Sequence, residues 1–248
     1  MKIVAARILA LKIPFRMAFQ HALKQRDHSD SIVLELLSES GAYGYGEAVA
    51  RPYVTGETVA QSIAYMEKVL VPSIMGQKWV EMQPGRCDLF QGGTDTAGEA
   101  CHAARTAVEL ALVDCWLKEQ GQPLSDWLSP KRPTVTYSAV ISTGSLGQTL
   151  NTAQQAKDLG IQFLKIKVGE KNDIQRVAKV REIMGAGVSV RLDANAAFDV
   201  EAAKAFVEAV EHFDIDALEQ PIPKGAVGGL AVVRRDSQIP IMADDAVV

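Results

Sequence analysis

Over residues 1–50 the apolar positions fall roughly at every second place. Residues 2–11 alternate loosely, 31–37 (SIVLELL) are rich in β-formers, and 42–47 follow the Ser40-Gly41 turn. This pattern predicts three strands. Residues 14–30, with His21, Lys24, Arg26 and His28, are polar and too long for a tight hairpin, so they read as a surface loop. After residues 53–58 (YVTGET) the apolar period becomes helical, over 59–74 and again over the Ala-rich stretch 95–119, with Gly121 as a C-cap. Residues 1–125 therefore read as an α+β domain, a small antiparallel sheet followed by helices.

From about Pro133 the pattern becomes strict alternation. Strands are expected at 134–141, 163–168, 188–193, 217–220 and 239–243, with amphipathic helices at 146–159, 173–184 and 200–213 and a weaker one after Gly228. Parallel strands need crossovers, usually helical, so this order implies a parallel α/β sheet over 126–248. Repeated right-handed crossovers give a (β/α) barrel of the TIM type or a doubly wound sheet. No glycine-rich phosphate fingerprint follows the first strand, which weakens a Rossmann reading.

Composition narrows the partners. With 48% hydrophobic and 23% charged residues the chain has the make-up of a globular protein, and its net charge of -4 excludes the basic surface expected of a nucleic-acid binder. No apolar run is long enough to span a membrane, and the N-terminus enters a strand without signal-peptide architecture, so a cytoplasmic protein is expected. Cys87, Cys101 and Cys115 are widely spaced and read as reduced thiols.

The chemistry sits at the strand ends. Lys165-Ile166-Lys167, Asp193-Ala194-Asn195, Glu219-Gln220-Pro221 and Asp244-Asp245 each close a predicted strand; the steps from Lys167 to Asp193, Glu219 and Asp244 are 26, 26 and 25 residues. Each step is about one βα unit, which places these residues on the C-terminal rim of a barrel, where catalysis occurs in that fold. Asp193, Glu219 and Asp244 on adjacent strands are expected to converge, and three bare carboxylates repel unless a cation or protons intervene. With no His or Cys in the set, all-oxygen ligation suits Mg2+, with Mn2+ as a substitute, better than zinc. Lys165 and Lys167, two apart on a strand, share a face. Two ammonium groups held close are expected to lower each other's pKa and so prepare one as a base.

The motifs LKIKVG, DAN, EQP and AD followed by an acid, in this order and spacing, resemble the muconate-lactonizing-enzyme subgroup (mandelate racemase/muconate cycloisomerase-like) of the enolase superfamily. The likeness covers essentially the whole chain, with residues 44–48 (GYGEA) and 53–58 similar to the last strand and a specificity loop of that family's capping domain. It implies an α+β capping domain followed by a (β/α) barrel. Asp193, Glu219 and Asp244 match the Mg2+ ligands, Lys167 matches the general acid–base residue, and Lys165 matches its supporting lysine. Asn195 and Gln220 match second-layer or substrate-facing positions. Phe19, His21 and Tyr53 fall in the two capping loops that face substrate, with solvated loop histidines as the other reading of His21 and His28. Asp245 stands where the family usually has glutamate. A lysine or histidine base working with Mg2+ is a known property of this superfamily. The resemblance implies removal of the proton α to the carboxylate of a small substrate through an enediolate. The outcome is epimerisation, racemisation or cycloisomerisation of a dipeptide, N-acylamino acid or muconate-type acid, by a homo-oligomer.

The sequence stops after the fifth predicted barrel strand, before the second catalytic lysine that the resemblance implies. Closing eight strands takes roughly 75 more residues at this period. Two expectations follow: a C-terminal segment that completes the barrel, or a non-catalytic remnant.

Overall fold

A computed structural model describes residues 1–21, 24–52, 56–82, 101–244 and 246–247, with the backbone alone for 16–21 and 24–26. The chain divides into two compact units: Met1–Met17 with Asp27–Pro133, and Ala18–Arg26 with Thr134–Val248.

In the first unit β1 (Ile3–Leu11), β4 (Ser31–Ser38) and β5 (Tyr43–Ala48) form an antiparallel sheet in the order β1-β4-β5. The alternation in β4 turns Ile32, Leu34 and Leu36 to the core, where all three are fully buried. Helix α1 (Val59–Tyr65) runs through a π-turn at Met66–Leu70 into α2 (Val71–Ile74). Pro72 has no N–H for the α-helical bond and its ring crowds the preceding turn, which accounts for the widening just before it. The long helix α3 (His102–Glu119) lies directly on β5: a Cβ added to Gly46 would collide with the Ala107 carbonyl, and one added to Gly44 with that of Ala111. Glycine opposite alanine is what permits this approach. Between β1 and β4 the expected loop is instead a hairpin of β2 (Pro14–His21) and β3 (Lys24–His28). A short helix, α4 (Leu124–Trp127), ends the unit's ordered elements.

The second unit is a five-stranded parallel sheet, β6 (Ala139–Ile141), β7 (Phe163–Lys167), β8 (Ser189–Asp193), β9 (Ala217–Glu219) and β10 (Ile241–Met242), in spatial order β10-β9-β8-β7-β6. Helices α5 (Leu146–Asp158), α6 (Asp173–Met184), α7 (Val200–Val210) and α8 (Val227–Arg235) are the crossovers. This is the sheet of a partial (β/α) barrel. Ser145 and Gln148 form a capping box on α5, and the Asp199 carboxylate accepts from Ala202 N–H at 2.8 Å to start α7. Leu164, Ile166, Val190, Leu192 and Leu218 pack under the helices. Each such side chain contributes about 1.5–3 kcal/mol by leaving water. The same alternation turns Lys165, Lys167, Arg191 and Asp193 to the opposite face. The strand expected at 134–141 forms only over its last three residues, and Val135 and Tyr137 are exposed. Among the described residues no helix is long and apolar enough to cross a membrane.

Candidate active site

Parallel register sets the site. Lys167 pairs with Asp193 and Asp193 with Glu219, so the final residues of β7, β8 and β9 stand in one row. The loops that follow are joined by backbone bonds: Val168 N–H donates to Asp193 O (2.9 Å), Ala194 N–H to Glu219 O (3.0 Å) and Gln220 N–H to Met242 O (2.8 Å). Asn195, Ala196 and Gln220 take left-handed conformations there (φ 43, 64 and 36°), which non-glycine residues adopt at a cost and which cluster at functional sites.

The charged side chains interlock. Lys165 Nζ lies 2.8 Å from Asp193 Oδ2 and 2.8 Å from Glu219 Oε1. Lys167 Nζ is 3.1 Å from the same Asp193 oxygen and donates to Asn195 Oδ1. Asn195 N–H donates to the other Asp193 oxygen at 3.0 Å. Arg191 Nε stands 3.1 Å from Glu219 Oε2, an ion-pair distance without hydrogen-bond geometry, so both atoms are buried with no hydrogen bond.

Burial pushes the Asp193 carboxyl up, but the hydrogen bond from Lys165 and the charges of both lysines outweigh it and hold the group below the usual carboxylate range. At Lys165 burial pushes the ammonium down, yet its bonds to Asp193 and Glu219 and their charges leave it above the ordinary lysine value. The expected mutual lowering of the lysine pair is therefore corrected at Lys165: contact with two carboxylates dominates over like-charge repulsion.

The three-carboxylate convergence is also only partly realised. Asp193 and Glu219 meet across Lys165, whereas Asp244 is exposed, and among the described residues no three His, Cys, Asp or Glu side chains close around a point. The reason is register. β10 ends at Met242, opposite Glu219, so Asp244 lies two residues past the ladder. Its backbone is held nonetheless, because the buried Gln220 Oε1 accepts from Asp244 N–H at 2.9 Å and from Ala246 N–H at 3.1 Å. The donor chemistry still fits a hard divalent cation: two buried carboxylates side by side, one with an oxygen that no hydrogen bond uses.

Asn195 is placed on Lys167, and the residue is buried. Phe19 and His21 lie on β2 with side chains outside those described, and Tyr53 lies outside the described residues. The sequence reading missed Arg191 and the buried Asp173–Arg176 pair. Arg191 was accessible to it, standing two residues before Asp193 and so on the same face. The pair was not, because an Asp and Arg three apart on a helix ordinarily read as an exposed pair.

Residues 2–129 match the family described as mandelate racemase / muconate lactonizing enzyme, N-terminal domain, and residues 148–248 match the enolase C-terminal domain-like family. The chain is 30% identical to the L-Ala-D/L-Glu epimerase of Bacillus subtilis, aligned over 100% of this chain and 68% of that protein. The crystal structure of N-succinyl Arg/Lys racemase from Bacillus cereus superposes with a TM-score of 0.87 at 25% identity, over 100% of this chain and 67% of that one. The dipeptide epimerase of Enterococcus faecalis, complexed with Mg and the dipeptide L-Leu-L-Tyr, does so with a TM-score of 0.82 at 28% identity, over 99% and 68%.

Proposed function

The chain belongs to the mandelate racemase/muconate lactonizing enzyme family of the enolase superfamily, and on that premise we propose that it serves Mg2+-dependent inversion at the carbon α to the carboxylate of an N-acylated amino acid. Dipeptides and N-succinyl amino acids are the substrate class, because the matched relatives are named for these. Those names support epimerisation or racemisation over cycloisomerisation.

The observation that carries the reading is the row Lys167–Asp193–Glu219, one buried proton carrier beside two buried carboxylates at the ends of adjacent strands. Lys167 exchanges the α-proton on one face, and inversion requires a second acid that returns a proton on the opposite face; Asp193 and Asn195 aim the Lys167 Nζ. Lys165 and Arg191 lie along Glu219 and add positive charge. With Lys167 the cluster holds three cations against two carboxylates, a field that attracts an anionic substrate. Asp193, Glu219 and Asp244 would hold Mg2+, or Mn2+ in its place, which when bound stabilises negative charge developing on the substrate carboxylate as the α-proton leaves. The α-proton is too weakly acidic for a lysine unaided, so metal and base are both needed.

The test is proton NMR of L-Ala-L-Glu incubated with the protein and Mg2+ in D2O. Loss of the glutamyl α-proton signal, abolished by EDTA, is expected. Retention of that signal, alongside N-succinyl amino acids that also fail to exchange, would overturn the assignment.

A further inference from the structure

We propose that Arg176 and Asp173 are positioning residues that fix Lys167 at the end of β7, an inference that rests on reading Lys167 as the proton carrier. Both side chains are on α6 and both residues are 1% exposed. Their ion pair, Arg176 Nη1 to Asp173 Oδ1, measures 2.7 Å. Removing two charges from water is unfavourable unless the geometry is good and the remaining donors and acceptors are used. Here they are used, three of the bonds on the backbone of residues 167–170.

The guanidinium donates from Nη1 to Lys167 O at 3.0 Å, from Nη2 to Ser142 O at 2.6 Å and from Nε to Thr149 Oγ1 at 2.9 Å. The second Asp173 oxygen accepts from Gly169 N–H and, at 2.6 Å, from Glu170 N–H. The ladder between β6 and β7 has its last pair at Ile141 and Ile166. Ser142 and Lys167 lie one residue beyond it, and a single guanidinium bridges their carbonyls where the ladder stops. The backbone is thus held at Lys167 itself and again two and three residues later. Gly169 takes φ +127°, and a Cβ there would stand 2.6 Å from that of Ala197, so the strand exit has little room to relax.

Lys165 provides an internal contrast. It lies within both ladders, opposite Val140 on β6 and Arg191 on β8, so the sheet fixes it without this pair. The two lysines share a strand and a face, yet they should depend on Arg176 very differently. A residue that merely supports the fold would treat them alike. Lysine cannot replace Arg176, because only the planar fork presents donors to both carbonyls and the Thr149 hydroxyl at once.

The test is competitive acetylation of the metal-free chain with trace acetic anhydride at one fixed pH, with Lys165 and Lys167 quantified separately by tandem mass spectrometry. In Arg176→Met and Arg176→Lys, Lys167 should be labelled about tenfold faster relative to Lys165, as expected when a local segment opens without global unfolding. Thr149→Val removes only the hydroxyl that orients Nε and should raise the same ratio by less, with cooperative melting retained; it carries the test if the Arg176 variants do not fold. In exchange assays the variants should lose kcat with KM little changed. A Lys167-to-Lys165 ratio that stays at the wild-type value in Thr149→Val and in every variant that folds overturns the inference, and so does a joint rise of both lysines. Acetylation needs no turnover, so failure of the wild-type chain to exchange α-protons would sink the reaction assigned above, while the labelling ratio still decides the role of Arg176.

Discussion

The ammonium of Lys165, on β7, lies 2.8 Å from the carboxylate of Glu219, on β9, although β8 runs between the two strands. Adjacent strands are about 4.8 Å apart, so this bond spans two spacings. Only long side chains leaning over the same face can make it, and Asp193 lies directly beneath, bonded to the same ammonium. The charged groups at the end of the sheet are therefore one cluster, and removing any member should be felt by the others.

Glu219→Gln removes a carboxylate that Lys165 and Arg191 both face and leaves a neutral amide in its place. Mg2+ affinity by calorimetry should fall by more than the ~10–100-fold that loss of an outer partner of a metal ligand costs. Unchanged affinity would remove Glu219 from the metal site.

Gln220→Leu tests how Asp244 is held. The Gln220 side chain is buried and takes the amides of Asp244 and Ala246. Without it Mg2+ binding should weaken by about 10–100-fold even though all three carboxylates remain. If calorimetry finds no change, Asp244 does not depend on Gln220 and its place as a ligand is in question.

Lys167→Ala should lower α-proton exchange into D2O by about 10²–10⁴-fold, the usual contribution of a positioned acid–base group. Mg2+ binding should persist, because Asp193 keeps its bonds to Lys165 and to the Asn195 amide. Exchange at the wild-type rate would move the proton-carrying role to another residue.

Gly46→Ala should destabilise the first unit by about 1–3 kcal/mol, the range for overpacking a close contact, because its methyl would fall on the Ala107 carbonyl of α3. Thermal melting reads this directly. A midpoint equal to the wild type would mean that α3 moves off β5 freely.

Much of this protein was legible in the chain because the information is local and periodic. The β-formers at 31–37 placed β4, and the packed structure then showed Ile32, Leu34 and Leu36 inward. The 26-residue step placed Lys167, Asp193 and Glu219 at successive strand ends, since one βα unit has nearly constant length. Two-residue spacing put Lys165 and Lys167 on one face. Tertiary structure decided what depends on partners far apart in sequence. Residues 14–21 and 24–28 pair as two strands, although the sequence there carries no strong turn signal. Asp244 falls past the end of a two-residue strand because pairing, not sequence spacing, determines where a ladder stops. The proton balance of Lys165 reversed expectation because Asp193 on the next strand and Glu219, 54 residues away and reaching over β8, both contact its ammonium. Asp173 and Arg176, three apart on a helix, became a buried clamp because the carbonyls of Ser142 and Lys167 arrive there from two different strands. In each case the deciding quantity is which groups are brought together away from water, and that is a property of the packed chain.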